Sequence, residues 1–150
     1  MHHSADKAIR IAGLGEAIIR HIALDDSQRM DDKVLEATVI NDLKLGLKPF
    51  LLIASMGTTD TGAIDPIDTI GKIASKYDLW FHIDAAYGGF FMICDEIKNK
   101  VKGIERADSI VMDPHKGLFV PYGLGAVLIK NKEHLAQSQY YTANYMQDAN

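Results

Sequence analysis

Three short buried-strand patterns constrain this chain more than any other feature. Phe50-Leu51-Leu52-Ile53-Ala54-Ser55 is an uninterrupted apolar run and predicts a strand buried on both faces. Leu79 to Asp84 and Ala107 to Met112 predict two more strands. Between them lie segments of helical period. Asp31 or Asp32 can cap a helix to about Leu45, with Val34, Leu35, Thr38, Val39 and Leu43 on one face and Gly46 and Pro49 stopping it. Pro66 opens a helix to Tyr77, with Ile67, Ile70, Ile73 and Ala74 turned inward. Strands alternating with such helices predict a parallel sheet with right-handed crossovers. The run Gly123–Ile129 follows its neighbour through a loop too short for a helix, so it is expected to be antiparallel. The expected class is α/β: three layers around a mostly parallel sheet with one antiparallel strand.

The remaining segments carry weaker signals. Ser4 is a plausible N-cap for a helix over Asp6–Ile18, which Gly13 and Gly15 weaken. Arg20–Leu24 reads as a short strand. Asp65 reads as an N-cap, Asp95–Val101 as a short helix, and Asn131–Gln137 as the start of another. Phe90-Phe91-Met92-Ile93 is expected to pack beneath the strand ends, and Tyr140–Asn150 gives no assignment.

Two strand ends carry chemistry. The second strand finishes in Asp84-Ala85-Ala86-Tyr87-Gly88, an acid followed by small residues. The third breaks at Asp113-Pro114 and presents His115 and Lys116 before Gly117. Ligands of open parallel sheets bind at such ends. A lysine amine can bond covalently to an aldehyde, and a carboxylate can hold a protonated ring nitrogen. Pyridoxal 5'-phosphate offers both partners. Read singly, Lys116 fits a solvated loop lysine better, and Asp84 fits an N-cap or a metal ligand as well.

Taken together, the motifs resemble the pyridoxal-phosphate-dependent group II decarboxylases, the family of aromatic-amino-acid, glutamate and tyrosine decarboxylases. Ser109, Ile110 and Lys116 match its lysine signature, and His82 through Gly88 its His-x-Asp-Ala-Ala-Tyr-Gly pattern. His2-His3-Ser4-Ala5-Asp6-Lys7-Ala8 resembles a third segment, and Gly57-Thr58-Thr59 with Gly62 and Asp65-Pro66 a fourth. The resemblance implies that Lys116 forms the Schiff base and that Asp84 sits on the pyridinium nitrogen. It also implies that His2 stacks on the ring, that Ala86 lies against the opposite face, and that Thr58 and His115 contact cofactor or substrate. His82 reads as a hydrogen-bonding residue of the fold. Asp113 stands where many members carry an asparagine that donates to the phosphate, which an ionised carboxylate cannot do.

The implied reaction is decarboxylation of an L-amino acid. Another fold-type I enzyme, an aminotransferase or carbon–sulfur lyase, is the alternative, as is a chain that binds without turnover. The resemblance further implies that residues 1–150 are part of the large cofactor-binding domain. The phosphate-binding first half and the small C-terminal domain would lie outside it, and the whole protein would be a homodimer acting on a small-molecule amino acid. Composition narrows the partners. The net charge of −4 comes without a basic cluster, which argues against nucleic acid. No apolar run approaches the ~18 residues needed to span a membrane. The single cysteine, Cys94, allows no internal disulfide and reads as a small buried hydrophobe. A cytoplasmic protein without metal is expected.

Overall fold

A computed structural model describes residues 2–139. Its sheet has four strands in the order β1 (Leu51–Ser55), β2 (Trp80–Asp84), β3 (Ser109–Met112) and β4 (Ala126–Ile129). β1 pairs with β2 and β2 with β3 in parallel, while β3 pairs with β4 antiparallel, as expected.

Pleating separates two very different faces. Leu52, Ala54, Phe81, Ile83 and Met112 point to one side and are buried. Over them lie α2 (Asp32–Lys44), through Leu35 and Val39, and α3 (Ile67–Lys76), through Ile67, Ile70, Ile73 and Ala74. Gly71 lets α3 come close: a Cβ there would lie 3.1 Å from the Phe81 ring. Full burial of a side chain such as Ile70 or Phe81 contributes about 2–3 kcal/mol. The opposite face carries Ile53, Trp80, His82, Asp84 and Val111, all only half-buried. β1 therefore alternates in burial, a correction to the strand expected to be buried on both sides. Over this second face, α6 (Lys132–Gln139) brings His134 to 5.5 Å from the Trp80 ring.

The helix ends follow local chemistry. Asp31 caps α2 by accepting from the Lys33 and Val34 amides, and Gly46 ends it at φ +78°. α1 runs only from His3 to Ile11, because Gly13 at φ +81° leaves the helical region; its cap is His2 rather than Ser4. Arg20–Leu24 is not a strand. A single bridge joins Leu24 to Met30, since β1 is the sheet edge and no described strand pairs beyond it. Asp65 does not cap α3, whose N-cap is Pro66 without a side-chain bond. The Asp65 carboxylate instead accepts from the amides of Met30 and Ser55, each at 2.7 Å, and so ties the entry of α2 to the end of β1.

After β2 a 3-10 turn (Gly89–Ile93) leads into α4 (Asp95–Lys98). Cys94, the N-cap of α4, is exposed, contrary to the buried site expected from its size. A short α5 (Pro114–Gly117) follows β3. Tyr140–Asn150 lies outside the described residues. Among the described residues, no helix is long and apolar enough to cross a membrane, and no cluster of metal-ligating side chains occurs.

Candidate active site

The C-terminal ends of three parallel strands meet at one edge of the sheet, and the loops that leave them are pressed together. Gly57 follows β1 at φ +80°, and Gly88 follows β2. A Cβ on Gly88 would lie 2.2 Å from the Met56 carbonyl oxygen and 2.7 Å from Gly57 Cα. Only bare backbone fits there. Gly117 of α5 packs so closely that a Cβ would sit 2.9 Å from Phe90 Cβ, so Phe90 packs there as expected, whereas Ile93, 69% exposed, does not.

Asp84 closes β2, and its strand neighbour is Val111. Its Oδ1 accepts from the Ala86 amide at 3.2 Å; among the described residues Oδ2 takes no hydrogen bond. The pairing continues past the strands, since the Asp113 amide donates to the Ala86 carbonyl at 3.1 Å. Asp113 is still extended, with φ −111° and ψ 103°. Alternation thus turns Ser109, Val111 and Asp113 to the face that carries His82 and Asp84. Lys116 Nζ lies 2.7 Å from Asp113 Oδ2, with the lysine side chain 39% exposed and the aspartate 18%. The amine and the Asp84 carboxylate therefore belong to the same face of the sheet, at the tips of adjacent strands. Such a pair can bond an aldehyde at one end of a flat ring and a protonated nitrogen at the other.

The two strand signatures also join at Ser109. Trp80 Nε1 donates to Ser109 Oγ at 2.8 Å, and His82 Nδ1 lies 2.7 Å from the same oxygen. Indole nitrogen only donates, so the serine proton is free for Nδ1, and that arrangement leaves the proton of neutral His82 on Nε2. His82 is thus a hydrogen-bonding member of the fold, as read from the sequence. Burial pushes its imidazole below the usual range, with nearby Asp84 opposing the shift. The unfolded chain, with an ordinary imidazole, then binds a proton at a pH where the folded chain does not. Stability is accordingly expected to fall as pH drops from 7 through the usual imidazole value and to level off below the folded one. Urea midpoints at pH 7.5 and 5.5 test this; His82→Gln should flatten that part of the profile.

Other sequence-predicted residues are placed differently. Thr58 Oγ1 bonds Thr61 Oγ1 at 2.8 Å and accepts from the Ala63 amide at 3.2 Å, so its hydroxyl closes its own loop. His115 Nδ1 bonds the Leu124 carbonyl, which can only accept, and its ring meets Tyr122 edge-on at 4.7 Å. Nδ1 therefore carries the proton, and Nε2 of the neutral ring is an acceptor. Ala86 is half-buried beside Asp84. His2 is exposed; its Nδ1 bonds Ser4 and its ring packs on His3 at 4.1 Å. Its recorded bonds all lie within the first turn of α1, not at the strand ends. Sequence reasoning missed the Asp113–Lys116 pair, although the i, i+3 spacing of opposite charges was a usable signal.

Comparison with known proteins identifies the family. The family model described as pyridoxal-dependent decarboxylase conserved domain matches residues 1–150. The chain is 34% identical over 148 residues to an aromatic-L-amino-acid decarboxylase of Bacillus atrophaeus, covering 99% of the chain and 31% of that relative. It is 37% identical over 148 residues to tyrosine decarboxylase 2 of Arabidopsis thaliana, covering 97% of the chain and 27% of that protein. The solved structure of Oryza sativa TDC with PLP and tryptamine superposes with a TM-score of 0.92 at 32% identity, over 99% of the chain and 31% of its own. The chain thus spans less than a third of the length of these relatives.

Proposed function

Because the chain belongs to the pyridoxal-dependent decarboxylases, we propose that it forms part of a cytoplasmic enzyme that removes the α-carboxylate of an L-amino acid. The observation that carries this reading is the shared face of Asp84 and Lys116 Nζ at the tips of two parallel strands. The residues suit pyridoxal 5'-phosphate on three counts. Asp84 has an oxygen not engaged by the described residues, Ala86 is small, and the Gly57–Gly88 contact gives a floor without side chains.

When bound, the cofactor supplies an aldehyde and a cationic ring that draws off the electrons left at Cα. Lys116 would hold the cofactor at its aldehyde end through the side-chain amine. Asp84 keeps a proton at the ring nitrogen, where its negative charge favours the cationic form. Ala86 would line one side of the cofactor site, and His2, by its place in the motif, would line the other. Thr58 and His115 would line the phosphate or substrate-carboxylate end of the site; with its one N–H committed to the Leu124 carbonyl, the neutral His115 ring would contact an anion by packing rather than by donating. The whole protein is a homodimer in this reading. Phe119 and Tyr122, 87% and 92% exposed in the loop after Lys116, offer apolar surface for a second copy.

Borohydride reduction with pyridoxal phosphate should leave a stable mass adduct on the Lys116 peptide of the wild type and none there in Lys116→Ala. Asp84→Ala should keep the adduct but lower carbon dioxide release by about 10²-fold or more. An unchanged rate in Asp84→Ala, or keto-acid formation in place of carbon dioxide, would overturn the proposal.

A further inference from the structure

We propose that Asp113 is the positioning residue for Lys116: it holds the amine on the Asp84 face of the sheet before any ligand arrives. This inference rests on the reading of Lys116 given above. The direct contact is the 2.7 Å pair between Lys116 Nζ and Asp113 Oδ2. A free lysine side chain samples many rotamers, and one ion pair selects the set that keeps its nitrogen at the strand tip.

The backbone that carries this carboxylate is held by two hydrogen bonds, and the space beside the carboxylate is narrow. The Asp113 amide donates to the Ala86 carbonyl, so its backbone is locked to the loop that follows Asp84. The Lys116 amide donates to the Asp113 carbonyl at 3.0 Å, so the turn carrying the lysine closes on the same residue. At the far side, a Cβ on Gly125 would stand 3.3 Å from Asp113 Oδ1. The start of β4 therefore leaves just enough room for the carboxylate in its present rotamer. The pair is only partly exposed, and the aspartate is the better shielded partner. One group anchored by two strands thus aims the flexible one.

Positioning and shielding predict opposite signs for two probes, and this separates them. Formaldehyde with cyanoborohydride reacts with any accessible lysine amine, so freeing Lys116 should speed its methylation. Covalent capture of pyridoxal phosphate needs the amine on the correct face, so freeing it should slow capture. In the wild-type protein, peptide mass spectrometry should show Lys116 methylated about threefold more slowly than exposed Lys100. In Asp113→Ala the two lysines should label alike, while borohydride-trapped pyridoxal phosphate on Lys116 accumulates about threefold or more slowly than in wild type. Asp113→Asn, whose amide oxygen still accepts one hydrogen bond, should fall between them on both probes. Gly125→Ala crowds Oδ1 without touching Lys116 and should shift both probes the same way as Asp113→Ala, by less.

Equal labelling of Lys116 and Lys100 in the wild type would overturn the pair, and needs no variant. Methylation and capture rising together in Asp113→Ala would show a shield, and would overturn the positioning role. A wild-type protein that traps no cofactor on Lys116, yet shows the slow methylation, would instead refute the assignment of Lys116 as the cofactor lysine.

Discussion

Alanine at Gly88 is expected to destabilise the fold by about 3–5 kcal/mol and to abolish cofactor capture at Lys116. The reason is contact with main chain, which has nowhere to go. The new Cβ would lie 2.2 Å from the Met56 carbonyl oxygen, and 2.7 Å from Gly57 Cα. Met56 is fully buried and its amide donates to the Asp84 carbonyl, so moving it pulls on the end of β2. The loops after β1 and β2 would have to part, taking Asp84 and Ala86 with them. Urea unfolding gives the stability loss, and the trapped adduct gives the site. Gly62→Ala is the control, since a Cβ at Gly62 meets nothing within 4 Å and only its φ of +67° makes alanine unfavourable. A Gly88→Ala protein as stable as wild type would show that the two loops are not in contact.

The second large effect is expected at Asp65. This carboxylate is 7% exposed and accepts from two amides, those of Met30 and Ser55, each at 2.7 Å. Removing it leaves two shielded N–H groups without partners, a loss of about 2–4 kcal/mol. Asp65→Asn is informative because it conserves shape. Its amide has one oxygen for two donors, and its NH₂ would face an N–H, so it should recover little of the loss. Denaturation midpoints for Asp65→Ala and Asp65→Asn within about 1 kcal/mol of each other would support this. An Asn variant near wild type would mean that one of the two bonds contributes nothing.

These two positions mark where the sequence was legible and where it was not. Strands and long helices followed from apolar runs and period, because burial of the Leu52, Phe81 and Ile70 type is written into local pattern. The antiparallel β4 followed from loop length alone. That Asp84 and Asp113 lie near the ends of adjacent strands was legible because the strands of a parallel sheet finish on one side. Asp65 was misread because its donors, Met30 and Ser55, are distant in sequence, and a capping preference was the only local signal. Arg20–Leu24 failed as a strand for a similar reason: pairing depends on a neighbour, not on the segment. Cys94 was misplaced because composition gives a residue's tendency to be buried, while its turn position decides. The Asp113–Lys116 pair needed side-chain geometry that spacing only permits.

The unequal burial of the two sheet faces separates what may vary from what must stay. Ala54, Phe81 and Ile83 face the helices, and truncating a residue like Phe81 would cost about 3–5 kcal/mol. Ile53, His82 and Asp84, one position along on the same strands, stand half-open and support far less of that packing. Alternate residues of one ribbon therefore answer to different selective demands, so changes can be tried on one side while the other keeps the chain folded.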